Sequence, residues 1–288
     1  MPLKINKLIN KTFNKYIIDE VVKAFPVYRK HKYSFEYCLK MFKFMLNDVV
    51  KWSSLSELSS YKGISEYHYK YLNSIFNQWT SKNIFSKAYS QMLQNEYFKL
   101  KHIRNNRIIN LFVDCSFITN LYGVNSIATN PEYRKKKFSK LSVISDENKI
   151  IIAVDFDETH LTKKNNPAFC HDLKIVQSTL NKMCIDLPPN RIVKLCGDKG
   201  YISKRHFNLN NGKKVKIIAK KRRNQLIKNT PKELDLLKKR QSVEIAISYF
   251  KKYNRLMVRR DKNICNYIGF MFMGMIDIFC KKVIMGKI

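Results

Sequence analysis

The periodicity of the apolar residues first changes at Arg107. Before it they recur at three and four residues, in Tyr37-Cys38-Met41-Phe42-Met45-Leu46-Val49 and in Tyr71-Leu72-Ile75-Phe76-Trp79. That spacing puts one apolar stripe on a helix. After it comes a continuous run, Ile108-Ile109-Asn110-Leu111-Phe112-Val113, the signature of a buried strand, and it ends on Asp114. The change predicts two constructions: a helical region over 1–105, and an α/β region over 106–288 that ends in a C-terminal helix.

Within the second region the punctuation is legible. Phe138–Ile144 and Ile150–Phe156 flank Ser145-Asp146-Glu147-Asn148-Lys149, whose turn chemistry predicts a hairpin. Leu173, Val176, Leu180 and Met183 predict a helix opened by Asp172, and Pro188-Pro189 ends it. Arg191–Cys196 reads as a strand running into Gly197-Asp198, followed by a helix from Ser203 and a strand at Val215–Ala219. Thr230-Pro231-Lys232-Glu233 matches a capping box with proline at the first helical position, so helix is expected from Pro231 to about Tyr253, with room for a break. Three neighbouring strands followed by alternating helices and strands predict an α/β fold with mixed strand directions.

In the first region, Tyr61-Lys62-Gly63-Ile64-Ser65 suits the turn of a helix-turn-helix, and an ordinary helical bundle fits the same residues.

Lys and Arg number 55 against 22 acidic residues, a formal charge of +33, and the excess runs along the whole chain. Such a balance favours a polyanionic partner, because each neutralised phosphate releases counterions. A ribosome-associated chain, or the lysine-rich usage of an AT-rich genome, produces the same balance. Seven scattered cysteines without a C-x-x-C pair read as buried thiols in a reducing compartment rather than disulfides or zinc ligands. The start lacks the layout of a signal peptide. The most apolar stretch, Ile264–Cys280, is interrupted by Asn266 and Asp277 and reads as a buried or dimer-packing helix rather than a membrane span.

Against that charge, three carboxylates stand out by position. Asp114 and Asp198 each close an apolar strand, where an isolated acid is costly to desolvate unless it binds a metal or a donor. If their strands are adjacent, both converge on one edge of the sheet as hard oxygen ligands suited to Mg²⁺ or Mn²⁺. Glu244 would reach the same point from a helix, with Arg240 at i−4 and Lys251 at i+7 on roughly the same face. Taken in isolation, a solvated Arg-Glu pair is the better explanation of Arg240 and Glu244.

Val113-Asp114, Asp198-Lys199-Gly200-Tyr201 and Arg240-x3-Glu244-x6-Lys251 together resemble the DDE transposases of the insertion-sequence four and five groups. The resemblance spans about Leu111–Cys280. His171-Asp172-Leu173-Lys174 resembles that family's histidine-aspartate pair, and Phe76-x2-Trp79 resembles its N-terminal helical region. Many relatives carry a tyrosine three residues before the arginine; Leu237 stands there here.

The resemblance implies a ribonuclease-H-like mixed sheet flanked by helices, with the helical region serving DNA binding or dimerisation. It implies an enzyme that cleaves DNA at transposon ends and transfers the strand to target DNA. Asp114, Asp198 and Glu244 would be both catalytic acids and ligands of two Mg²⁺ ions, with Mn²⁺ able to substitute. Arg240, Lys251, Lys199, Lys220, Lys221, Arg222 and Arg223 would contact DNA, and a homodimer would hold paired ends. The implied setting is intracellular, at the nucleoid of a prokaryote or in a nucleus for a eukaryotic or viral element. Two other readings remain open: a domesticated or inactive DNA-binding relic, and a ribonuclease-H-like nuclease without strand transfer.

Overall fold

The computed structural model describes residues 3–26, 33–48, 51–55, 69–129, 137–157, 171–222 and 228–284. The Tyr61–Ser65 turn, Arg134 to Lys136, Cys170 and Arg223 lie outside the described residues. By packing, the chain forms two compact units. One joins Met1–Glu96 and Leu121–Val124 to Phe250–Ile288; the other comprises Tyr97–Asn120 and Asn125–Tyr249.

The first unit is helical: α1 (Leu3–Ala24), α2 (Phe35–Asn47), α3 (Tyr69–Ser81) and α4 (Ile84–Glu96). The apolar stripes of α2 and α3 are buried as their spacing predicts, and Ser34 caps α2 by accepting the Tyr37 N–H at 3.2 Å. An aromatic core joins them: Phe42 and Phe85 each meet both Phe76 and Trp79, and the Phe76 ring stacks at 4.2 Å on Phe270 of a C-terminal helix. That helix (Ile264–Ile284) buries most of its middle, from Gly269 to Asp277 without a break. Gly269 permits its close approach: a Cβ there would lie 2.4 Å from the Thr80 methyl group. Among the described residues, no helix is long and apolar enough to cross a membrane.

The second unit is a mixed sheet with helices, an α/β construction. A short helix, α5 (Lys101–Arg104), leads into β1 (Ile108–Asn120). β1 pairs antiparallel with β3 (Lys137–Asp146), which pairs antiparallel with both β2 (Ala128–Thr129) and β4 (Ile151–Phe156). The β3–β4 hairpin turns where the sequence predicts, because the Asp146 carboxylate accepts the Asn148 and Ile150 N–H groups at 2.9 and 2.8 Å.

After α6 (Asp172–Asn181) comes β5 (Ile192–Gly197), parallel to β1, and beside it β7 (Lys214–Ala219), parallel to β5. Parallel neighbours need a crossover, which α6 supplies between β4 and β5. The helix expected from Ser203 is not there. A 3-10 turn over Lys199–Tyr201 leads to a short strand, β6 (His206–Asn208), antiparallel to β7. The reason is local: Asn210-Asn211-Gly212 forms a tight turn, with Gly212 at φ +77° and the Leu209 N–H donating to the Lys213 carbonyl at 2.7 Å.

The capping box forms as read: Thr230 accepts from the Glu233 N–H and Glu233 accepts from the Thr230 N–H at the start of α7 (Pro231–Lys238). The break falls at Lys239 and Arg240, and α8 runs from Gln241 to Phe250. A single turn, α9 (Asn254–Met257), then precedes the C-terminal helix, α10.

Candidate active site

Register decides where the first two acids sit. β1 and β5 are adjacent and parallel, with Phe112 level with Cys196. Asp114 and Asp198 each stand two residues beyond that pair and, by alternation, on the same face; Asp198 follows the last residue of β5, whereas β1 runs on past Asp114, paired with β3 as far as Thr119.

The local chemistry around Asp198 explains its flanking residues. Asp198 caps the 3-10 turn, its Oδ1 accepting the Gly200 N–H at 2.7 Å. Any Cβ on Gly197 would fall 2.7–2.9 Å from the Tyr201 side chain, so the glycine makes room for that ring. Tyr201 is buried, and its hydroxyl donates to Cys115 Sγ at 3.3 Å, beside Asp114 in the chain. The segment from Gly197 to Tyr201 therefore ties the end of β5 to the residue next to the first acid, a link between residues 86 apart in sequence.

Glu244 lies in the first turn of α8 and is about half exposed. Arg240, in the break before that helix, reaches both ways: Nη1 lies 3.2 Å from Asp114 Oδ2 and Nη2 2.5 Å from Glu244 Oε1. Burial is the largest influence on Asp114 and pushes its carboxyl up to about 6. The Cys115 N–H, donating at 2.9 Å, and Arg240 pull it back, while Asp198 and Glu244 push it further up. The three acids are thus within electrostatic reach of one another, with too little positive charge to offset the first one's burial.

Asp114 and Asp198 present hard oxygen donors at one level of the sheet, and their mutual repulsion is the kind a divalent cation relieves. Glu244 is engaged by Arg240 instead. Among the described residues no three carboxylate, imidazole or thiolate side chains close into a metal-binding group.

The remaining sequence candidates distribute unevenly. Lys199 and Lys220 are exposed near the acids: Lys199 follows Asp198, and Lys220 follows Ala219, the register partner of Gly197. The backbone of Lys221 is anchored by Asn229, whose side chain accepts the Lys221 N–H at 2.8 Å and donates to the Ala219 carbonyl at 3.1 Å, closing the base of the basic loop that includes Arg222. Lys251 stands just past the end of α8, exposed and in the other unit, so the single helical face drawn through Arg240, Glu244 and Lys251 is interrupted at both ends. His171 caps α6 with its ring nitrogen, and Asp172 pairs with the fully buried Lys140. That pair lies close enough to Cys115 to act on its thiol, which burial pushes up to about 12. Lys140 carried no sequence signal, being one lysine among many until β3 buries it.

No protein-family model matches the chain, and neither the curated proteins nor the solved structures yield a match.

Proposed function

We propose that the chain is a DDE transposase, a phosphoryltransferase that cleaves DNA at the ends of an insertion element and joins the freed 3′ hydroxyl to target DNA. The observation that carries the reading is the pairing of Asp114 and Asp198 at one level of adjacent parallel strands, with Glu244 linked to Asp114 through Arg240. The antiparallel run β4–β3–β1 followed by parallel β5 and β7 supports the ribonuclease-H-like core that the motifs imply. The charge of +33 supports a phosphate-backbone substrate.

In this reading each side chain has a task. With its carboxyl near 6, Asp114 is ionised over protonated by roughly tenfold at pH 7. It and Asp198 would hold a divalent cation, Mg²⁺ or Mn²⁺, and Glu244 would join them on leaving Arg240. When bound, the cation supplies charge neutralisation at the phosphoryl oxygens and a more acidic water. Arg240, freed by the same exchange, would turn its guanidinium to a phosphate, for which its planar fork is suited. Lys199, Lys220, Lys221 and Arg222 would hold the strand beside the acids, and paired ends would bring two copies together.

The test is incubation of the wild-type chain, Asp114→Asn and Glu244→Gln with element-end DNA and Mg²⁺, scoring nicks that carry 3′ hydroxyls. Nicking confined to the wild type supports the proposal, and equal nicking by both variants sinks it. A second reading, a DNA-binding relic, draws on the Arg240 bridge, which engages Asp114 and Glu244 with a single guanidinium. Wild-type DNA binding without cleavage selects it.

A further inference from the structure

Between Asp198 and Glu233 the sequence holds twelve Lys and Arg residues and no acid. The sheet arranges part of that charge. His206 is the register partner of Lys216, and Asn208 of Lys214, on the antiparallel pair β6–β7. On the other side of β7, Leu195 is level with Ile217, so Lys194 of β5 stands level with Lys216. Val215, Ile217 and Ala219 are buried while Lys214 and Lys216 are exposed, so β7 presents one apolar and one basic face.

The basic face has a definite relation to the acids. Lys194 alternates with Cys196 and then Asp198, and Phe112, the partner of Cys196, alternates with Asp114. The row His206–Lys216–Lys194 therefore projects from the same face of the sheet as Asp114 and Asp198. It lies about 13 Å back along the strands, four residues at roughly 3.3 Å each.

Two features mark this row as built for an anion. Adjacent strands lie about 4.8 Å apart, and like charges placed directly across a pair destabilise it. Among the described residues no ion pair reaches Lys194, Arg205, His206, Lys214 or Lys216, whereas Lys140, Lys182, Lys238 and Lys239 each have a carboxylate partner. Nor are these lysines needed to guard the sheet edge, a common use of edge lysines. Gln177 of α6 already covers the outer strand, accepting the Asn208 N–H at 2.9 Å and donating to the Asn208 carbonyl at 3.0 Å.

We propose that the row His206–Lys216–Lys194, with Lys214, is a second phosphate track that holds the backbone of duplex DNA away from the acids, without reading bases. The assignment rests on the DNA reading above but not on cleavage, and it adds four residues that the acid motifs do not include. The track works by charge and spacing, so its contribution is independent of sequence and dependent on salt.

The experiment measures binding of a fluorescent duplex of scrambled sequence across a salt series, in chelator and without divalent cation. Lys194→Gln/Lys214→Gln/Lys216→Gln is compared with Lys101→Gln/Lys137→Gln/Lys174→Gln, three exposed or partly exposed lysines elsewhere in the same unit, with thermal melts confirming that both fold. The slope of log K against log salt should fall by roughly 0.9 per lysine removed in the first variant and by much less in the second. Equal losses in both would reduce the track to net charge and overturn it, as would an unchanged slope in the first. If the wild type binds no duplex at all, the DNA reading itself fails; if it binds and only the track variant is normal, this inference alone fails.

Discussion

A fully buried carboxylate in one unit and a partly buried one in the other are treated in opposite ways. Burial pushes Asp277 of α10 up, but Lys43, 2.6 Å away, and Lys281, 2.5 Å away, overcome it and hold the acid below the usual carboxylate range. The Tyr253 hydroxyl donates to the same group at 2.8 Å. Burial pushes Asp114 up as well, and there the Cys115 N–H and Arg240 do not suffice, while two further acids add to the rise. A satisfied acid is a structural pin. An acid left crowded by others is held by the fold at a cost, the condition expected where a ligand is to supply the missing charge.

The largest expected effect tests the pin. Asp277→Ala leaves Lys43, Lys281 and the Tyr253 hydroxyl without their shared partner, and should cost about 4 kcal/mol in urea unfolding. A loss below about 1 kcal/mol would mean that Asp277 is no better satisfied than Asp114.

Next comes the opposite sign. The native carboxyl of Asp114 titrates near 6, above its ordinary 3.8, so the folded state holds its proton more tightly than the unfolded chain. Stability from this group is full below pH 3.8 and falls as pH rises to 6. Asp114→Asn should therefore stabilise the metal-free protein by about 2–3 kcal/mol at pH 8 and change little at pH 3.5. If the gain at pH 8 is absent, the contrast between the two acids collapses. Added Mg²⁺ should stabilise the wild type and not the variant, narrowing the gap.

A smaller effect is expected at Gly197. Alanine there meets the Tyr201 ring and should cost roughly 1–2 kcal/mol, and less than that in a Tyr201→Ala background, where the ring is gone. A double-mutant cycle with no coupling would show that the ring does not sit against the glycine.

The smallest change in stability is at Arg240. Arg240→Gln removes an i,i+4 pair worth about 0.3–0.5 kcal/mol, yet it also removes a side-chain cation that lowers Asp114. The Asp114 midpoint, followed by the carboxyl carbon shift in NMR, should move above 6. A downward move would assign Arg240 a different role.

How much of this could be read in advance follows the range of the interactions. The Asp146 turn, the Thr230 capping box and the end of β5 before Asp198 depend on residues a few positions apart, and their sequence signals suffice; the strand end expected at Asp114 is not there, because β3 pairs with β1 on to Thr119 and carries the strand to Asn120. The helix expected from Ser203 failed because β6 is three residues long, too short for either period to register, while the Asn-Gly turn after it was passed over. Arg240 was read as the neighbour of Glu244, which it is, but its hold on Asp114 spans 126 positions and exists only once the sheet forms. The pairing of Lys140 with Asp172 was likewise invisible, since burial alone separates that lysine from the rest.

The discontinuity of the helical unit sets an order of events during synthesis. Every residue of the sheet unit has been made once Tyr249 is added, whereas the helical unit still lacks Phe250–Ile288, including the aromatic partner that Phe76 stacks on. At about 5–20 residues per second, that interval lasts on the order of seconds. During it the nascent N-terminal helices must wait with part of their aromatic surface uncovered, and chaperones that recognise such surface would find the first third of the chain, rather than the sheet, to be their client.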